Sequence, residues 1–487
     1  MAFTQGRFNK KIFFYITGSN ILLLGIIFLL SGIVSFYYGE KDCLFFVLSF
    51  LISLLVGGFA VWKNRNFVAQ ISKKDGRLIV GLMWLIIPIL GALPYMFDSK
   101  DFSLVDALFE SFSGYTTTGA SVLSNIESVS KGVLFYRALT QWIGGLGFAL
   151  LVIIFIKDFP EGAKNLFNAE FNSIEKEKDR PHIRNTVFKL FGLYFFFTIS
   201  CFVLLNIGEM NVFEAICYTF STISTGGFAV SDSNVGIYST YSHIVIMVFM
   251  FLSGISFFQL ISLLNGKFKK VFKDEQLRMY FLLVLFFSFA FLLYNTFTQE
   301  GEFQNRLKTS FFYVISTLST TGFDLKSANI GLFSSACLIL LMFIGGCSAS
   351  SATGLKIIRV IILLKYIPVA MKRVFHPRAI IPVRYNGKGL RDEEVKLVFG
   401  FFFLFLVIFL LGMMVLAMAG NGFVSSLALS AASLSNLGPV MGVFADGFSY
   451  AELNTASKSI LMVLMLIGRL EIFAFLAVFS PAVWQRN

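Results

Sequence analysis

One phrase occurs four times in this chain, and any fold has to accommodate all four copies. The first reads D-A-L-F-E-S-F-S-G-Y-T-T-T-G-A-S from Asp106 to Ser121: an apolar run leads into Thr116, Thr117 and Thr118, and Gly119 follows. The second sets Ser224, Thr225, Gly226 and Gly227 after Glu214-Ala215-Ile216-Cys217-Tyr218. The third sets Ser319, Thr320, Thr321 and Gly322 after Ser310-Phe311-Phe312-Tyr313. The fourth and weakest sets Ser435, Asn436, Leu437 and Gly438 after Leu427-Ala428-Leu429. Every copy has a hydroxyl residue three before its last glycine, Thr or Asn two before, and a large apolar residue four before (Tyr115, Ile223, Leu318, Leu434). Thirteen before stand Asp106, Glu214, Thr309 and Ser425, which suit the opening of a helix. Each copy therefore predicts a three-turn helix running into an extended, glycine-ended segment.

The surroundings of the phrases are apolar. The 487 residues are 56% hydrophobic and only 14% charged, too little polar surface to cover a soluble fold, so the chain has to bury its apolar surface in lipid. The net charge of +12 raises nucleic acid as a partner. The Lys and Arg, however, sit in short loops between apolar runs, where they set membrane orientation, and no nucleic-acid partner is expected. Cys43, Cys201, Cys217, Cys337 and Cys347 show no metal or redox spacing and are read as packing residues.

In chain order, Arg7, Lys10 and Lys11 precede an apolar run from about Ile12 to Tyr37, too long for a signal-peptide core and without a convincing cleavage site. A second run, Cys43 to Trp62, returns to a basic loop; this front pair has no phrase between its members. Then helix, phrase, helix follows four times. Leu78–Met96 and Val133–Ile156 flank the first phrase, Val187–Ile207 and His243–Leu264 the second, Met279–Thr298 and Leu332–Tyr366 the third, Val395–Ala419 and Ser459–Trp484 the fourth. The glycines recur about a hundred residues apart, repeat architecture with drift. The expected division is a helix pair over 1–75 and four repeats over 76–165, 166–272, 273–375 and 376–487. The fold class is an all-α polytopic membrane protein, four pseudo-repeats around one central pore plus the front pair. The basic loops Lys157–Arg184, Lys267–Arg278 and Lys365–Lys396 share one side if every apolar run spans once and every phrase re-enters. The positive-inside rule makes that side cytoplasmic, giving ten spans with both termini inside.

Non-helical backbone is tolerated at membrane depth only where protein or a water-filled cavity surrounds it. Four such segments can enclose one axis. Their carbonyls, with the hydroxyls of Thr116, Ser224, Ser319 and Ser435, can replace the hydration shell of a monovalent cation, and K⁺ is the natural candidate. The short helices would aim their negative C-terminal ends at it. A single hydroxyl-x-Gly at a helix end is an ordinary C-cap; four at matching places between paired spans point to the ion path.

These residues carry a resemblance. Tyr115-Thr-Thr-Thr-Gly119, Ser224-Thr-Gly-Gly-Phe228, Ser319-Thr-Thr-Gly-Phe323 and Ser435-Asn-Leu-Gly-Pro439 resemble the four filters of the Trk/Ktr/HKT superfamily of potassium transporters. Gln141-Trp-Ile-Gly-Gly-Leu-Gly147, Gly345-Gly-Cys347, Gly354-Leu-Lys-Ile-Ile-Arg359 and Gly468-Arg-Leu-Glu471 add to it, and the front pair and length are most similar to the bacterial TrkH branch. The fourth filter departs from the Thr-x-Gly form, as the family's fourth usually does. The resemblance implies potassium uptake across the bacterial inner membrane, K⁺ bound at the filters only, no cofactor, a homodimer and a cytosolic nucleotide-binding TrkA-type regulatory subunit. The chain itself shows no Gly-x-Gly-x-x-Gly fingerprint and no Walker loop.

Two features lie below the phrases. Gly345, Gly346, Cys347, Ser348, Ala349, Ser350, Ser351, Ala352, Thr353 and Gly354 form an unbroken run of small residues. Leu332–Tyr366 as one helix would be about 50 Å long at 1.5 Å per residue, well beyond the ~30 Å hydrocarbon layer, so a break is expected. The run reads either as a gating loop at the inner mouth, which the resemblance favours, or as close helix packing. Arg469 lies deep in the last span, facing the pore as a barrier to cations or held in a structural ion pair; Glu471, two residues on, points elsewhere. The acids beyond the phrases (Asp232, Asp324, Glu127, Asp446) read as solvated loop acids or as a means of concentrating cations.

The competing functions predict other patterns. A secondary transporter with broken helices would show two related halves and mid-membrane charges, whereas this chain shows four repeats; a less selective K⁺/Na⁺ translocator without a channel-like filter is the other alternative. An intramembrane enzyme would need a catalytic constellation. His182, His243 and His376 sit in or near loops, and no His-Glu-x-x-His is present.

Overall fold

Apolar stretches in lipid become helices because each amide and carbonyl must find its partner within its own segment. The computed structural model describes residues 10–65, 72–97, 102–147, 183–298, 302–325, 330–376, 378–379, 381–438 and 449–479, and helix dominates them. The front pair, Lys10–Tyr37 and Cys43–Asn64, is an antiparallel hairpin closed through small residues: Gly18 faces Gly57 and Ala60, and Gly25 faces Ser53. Its outer face exposes Leu44, Leu51, Leu55, Phe59 and Trp62, a surface suited to lipid.

Each repeat has a lead helix, a short helix ending in the phrase, and a return helix. The lead helices are Lys73–Gly91 (continued by Leu93–Phe97), Ile183–Ile207, Glu275–Thr298 and Asp392–Met418. The short helices are Leu104–Tyr115, Val212–Ile223, Phe303–Leu318 and Phe423–Leu434; the return helices are Lys131–Leu146, Thr240–Ser253, Leu332–Ile344 and Thr455–Leu470. Each return helix packs on the short helix of the next repeat: first on second, second on third, third on fourth, and fourth back on first. The repeats thus close a ring, and the chain is an all-α polytopic membrane protein. The one sheet among the described residues is a two-residue hairpin, Arg384–Tyr385 with Lys388–Gly389, turned by Asn386 and Gly387 at φ +47° and +76°.

Among the described residues six helices, the front pair and the four leads, are long and apolar enough to span unbroken. The return helices are not, which corrects the expectation that only Leu332–Tyr366 is interrupted. The first ends at Leu146, where Gly147 turns to φ +84°; the second bends by 101° between Ser253 and Phe257 and resumes as Phe257–Leu264. The third stops at Ile344 and resumes as Ile357–Phe375; the fourth stops at Leu470, with Glu471 at φ +58°, and resumes as Ile472–Phe479. The remainder of the expected runs Val133–Ile156 and Ser459–Trp484, and most of the loop Lys157–Arg184, lie outside the described residues.

Candidate functional site

All four phrases begin with the same backbone device. After Tyr115 the N–H groups of Thr116, Thr117 and Thr118 bond to the carbonyls of Phe112, Gly114 and Ser113, at 2.9, 3.0 and 2.9 Å. Ser224, Thr225 and Gly226, Ser319, Thr320 and Thr321, and Ser435, Asn436 and Leu437 repeat the pattern. This is the helix-ending motif in which a left-handed residue turns the chain and satisfies the last carbonyls. The left-handed residue is not glycine. It is Thr117, Thr225, Thr320 and Asn436, at φ +56°, +54°, +58° and +48°. A β-branched residue there is an outlier that costs of order 1–3 kcal/mol and persists only where its surroundings hold it. Gly119, Gly227 and Gly322 then take φ +82°, +80° and +84°; Gly438 does not share this conformation. So the C-cap and the extended segment are both present, one leading into the other.

The helix openings differ from the expected ones. Ser103 caps the first short helix and Asn211 the second, each accepting from the amide three residues on; Asp106 and Glu214 are those third residues. The third helix starts at Phe303 and the fourth at Phe423, ahead of Thr309 and Ser425.

The phrases meet backbone to backbone. A Cβ added at Gly119 would strike the carbonyl of Gly226, one at Gly227 that of Thr321, and one at Gly438 the backbone of Gly119 and Ala120. Within the four-residue cores Thr116–Gly119, Ser224–Gly227, Ser319–Gly322 and Ser435–Gly438 every residue is buried except Gly119, which is partly so. The hydroxyl of Thr116 donates back to Phe112 O (2.6 Å) and that of Ser224 to Phe220 O (2.7 Å); Ser319 shares a hydrogen bond with Thr321 (2.8 Å), and the Ser435 hydroxyl has no partner among the described residues.

Side chains from neighbouring repeats fix this ring. Gln141, on the first return helix, donates to Gly226 O (2.8 Å) and accepts from Phe228 N (3.1 Å), clamping the second phrase. Asn436 Nδ2 donates to Thr118 Oγ1 (3.0 Å) and Met465 O (2.7 Å), tying the fourth phrase to the first. Tyr450 donates its hydroxyl to Gly438 O. Lys458 pairs with Asp106 at 2.6 Å, where the fourth repeat closes on the first. Burial pushes the Asp106 carboxyl up, but hydrogen bonds from Lys458 and Ser103 outweigh it and hold it below the usual carboxylate range.

Two charges that the sequence reading passed over are central. Glu110 and Arg137 form a pair at 2.6 Å with 0% and 1% of their side chains exposed. Glu110 also accepts from Ser121 Oγ and Val122 N just past the first phrase, while Arg137 donates to Ala229 O past the second and lies 4.2 Å from the Phe228 ring centroid. An ionisable residue in an apolar re-entrant helix is the signal that could have found it. Arg137→Ala leaves Glu110 buried and unpaired. It is expected to destabilise the fold by about 3–5 kcal/mol, read as a fall in melting temperature in detergent.

Residues 345–356 are non-helical, and 345–355 are buried. Gly345, Ala349, Gly354 and Lys356 have φ +69°, +56°, +87° and +69°. The break in the second return helix receives the segment: Cys347 N donates to Gly254 O and Phe257 N to Ala349 O, both 2.9 Å. Ser348 N donates to Gln276 Oε1 (3.1 Å), and Ser350 Oγ to Cys347 O (2.6 Å). A Cβ at Gly346 would strike Ala352. Upward, Ser351 Oγ reaches Ile223 O at 3.3 Å beside the second phrase; Thr353 N donates to Thr320 Oγ1 (3.1 Å) in the third, and Thr353 Oγ1 donates to Ser435 O in the fourth. Arg469 completes the set. It donates to Thr117 Oγ1 in the first phrase (3.2 Å), to Ser351 O (3.0 Å) and to Gly144 O (2.5 Å), with its guanidinium 5.4 Å from the Trp84 ring centroid. The segment and Arg469 together touch the first, third and fourth phrases and the residue leading into the second.

The outer acids hold loops together. Asp232 accepts from Ile126 N (2.7 Å), Glu127 from Ser231 Oγ (2.8 Å) and Asp324 from the Tyr313 hydroxyl (2.5 Å); Asp446 lies outside the described residues. His243 shares a hydrogen bond with Val235 O at 2.8 Å, His376 is exposed, and His182 lies outside the described residues. Among the described residues no cluster of metal-ligating side chains occurs, and Cys201, Cys217 and Cys347 are buried.

Comparison with known proteins agrees along the whole chain. The TrkH family model, described as a cation transport protein, matches residues 44–486. The Trk system potassium uptake protein TrkH of Escherichia coli K12 is 33% identical over 479 residues, 96% of this chain and 98% of that protein. The Trk system potassium uptake protein TrkG of the same organism is 29% identical over 486 residues, covering 98% and 99%. The crystal structure of the potassium transporter TrkH from Vibrio parahaemolyticus superposes with a TM-score of 0.88 at 29% identity, covering 98% of this chain and 100% of that one.

Proposed function

The chain belongs to the TrkH family of cation transport proteins, and on that premise we propose that it takes up potassium across a bacterial cytoplasmic membrane along the axis its four phrases enclose. The observation that carries this reading is the closed ring, in which each return helix packs on the next short helix and the phrase glycines meet backbone to backbone. Carbonyl oxygens in such a ring replace the hydration shell of a large, weakly hydrated cation, with K⁺ as cargo and no cofactor required. A hydroxyl whose proton is spent on a helix carbonyl, as at Thr116 and Ser224, presents only lone pairs to its other side, which suits a cation.

Residues 345–356 and Arg469 act in this proposal as the gate beneath the filter. Both termini lie in the cytoplasm, the chain works as a homodimer, and a TrkA-type nucleotide-binding subunit on the cytosolic side drives opening. The division at 75, 165, 272 and 375 belongs to the same proposal. Ion flux through liposomes holding the purified chain tests it. Deleting Ser348–Ala352 is expected to raise Rb⁺ and K⁺ flux and weaken any dependence on the cytosolic subunit, with Na⁺ passing far more slowly. A folded deletion protein with unchanged flux contradicts the gate, and equal Na⁺ and K⁺ flux contradicts the filter.

A further inference from the structure

Glu471 sits at the break of the fourth return helix, two residues after Arg469, and its carboxylate joins two cations. Oε2 lies 2.5 Å from Arg359 Nη2, and Oε1 lies 3.0 Å from Lys356 Nζ. The three side chains are 12%, 8% and 16% exposed, in the order Glu471, Arg359 and Lys356. Lys356 is the last residue of the 345–356 segment, with its amide held by Ile344 O at 2.9 Å. Arg359 lies in the first turn of Ile357–Phe375; it donates to Leu355 O (3.1 Å), and its guanidinium lies 3.8 Å from the ring centroid of Phe401 on the fourth lead helix.

Both partners of the Lys356–Glu471 pair have positive φ, +69° and +58°, with extended ψ of +135° and +141°. Residues with side chains hold that conformation only where the surroundings impose it. One strained residue ends the segment that reaches Ile223, Thr320 and Ser435, and the other stands two residues after Arg469, which reaches Thr117. The pair therefore fastens two separate obstructions to each other. Taking one carboxylate away releases both strained turns from their shared tie and leaves two nearby cations repelling each other.

We propose that Glu471 is a positioning residue for the closed state, a latch through which the 345–356 segment and Arg469 close and open together. This rests on the gate reading above. Glu471→Gln, reconstituted in liposomes without any partner, is expected to raise Rb⁺ flux per folded protein about tenfold, equivalent to roughly 1.4 kcal/mol lost from the closed state. Glu471→Asp, which keeps the charge, is expected to raise it less. Should Glu471→Gln fail to fold, Glu471→Gln combined with Lys356→Gln removes the tie with one uncompensated cation fewer and is expected to raise flux as well. A lower melting temperature with wild-type flux in the folded variants means a merely structural role and overturns the proposal. The Ser348–Ala352 deletion runs alongside. If it raises flux and the Glu471 variants do not, the latch fails alone; if neither raises flux, the gate reading fails with it.

Discussion

Arg469→Ala is expected to raise cation flux by about a hundredfold. The guanidinium reaches Thr117 Oγ1 at 3.2 Å, so a cation level with the first phrase passes close to it. Two like charges 4 Å apart repel by about 4 kcal/mol at an effective dielectric near 20, and each factor of ten in rate is about 1.4 kcal/mol. Solvent screening and a second slow step bring the full factor down. The hydrogen bonds of Arg469 to Thr117, Ser351 and Gly144 end on neutral oxygens, so truncation strands those acceptors at about 1–3 kcal/mol, a structural cost to set beside the barrier. Flux per folded protein, measured beside thermal unfolding, separates the two roles. A large fall in melting temperature with no gain in flux contradicts the barrier.

Gly119→Ser is expected to cut discrimination between K⁺ and Na⁺ by about tenfold or more. The backbone at Gly119 has φ +82°, which a side chain resists, and its Cβ would collide with the Gly226 carbonyl. Relief requires one of the two phrases to rotate, and in the proposed filter a tilted carbonyl no longer matches K⁺. The strain itself costs about 1–3 kcal/mol. Gly58→Ser is the control, because a Cβ there meets nothing within 4 Å. Relative K⁺ and Na⁺ flux in the two folded variants checks the claim, and a Gly119→Ser protein as selective as Gly58→Ser contradicts it.

The architecture was legible where hydropathy and repetition carry it: the front pair, the four leads, the four phrases and the break after Ile344, which excess length alone requires. The other breaks were hidden because they are short. Gly254-Ile255-Ser256 and Glu471 barely disturb the apolar run around them, and what stabilises them is distant: Cys347 and Ala349 for one, Lys356 and Arg359 for the other. The N-cap Ser103 ahead of Asp106 and the capping box Asn211-x-x-Glu214 were in the sequence. Counting back from the glycine picked out their acidic members and missed the caps themselves. A left-handed residue before the glycine is not legible because threonine disfavours that conformation; at Thr117, Thr225 and Thr320 the helix-ending hydrogen bonds and the neighbouring repeats override the preference. These side-chain pairings were beyond reach, since nothing in sequence spacing links Glu110 to Arg137, 27 residues on in the same repeat, or Asp106 to Lys458, 352 residues on, where the fourth repeat closes on the first.

The central claim is that the ring of four phrases is itself the potassium-selective path, with 345–356 and Arg469 only obstructing it. The most direct measurement is the potential across a bilayer holding the Arg469→Ala protein with K⁺ on one side and Na⁺ on the other. With the obstruction weakened and the ring intact, the potential is expected to lie near the K⁺ equilibrium value, with flux well above that of the unmodified chain. A potential near zero at raised flux, K⁺ and Na⁺ passing alike through four intact phrases, contradicts the account.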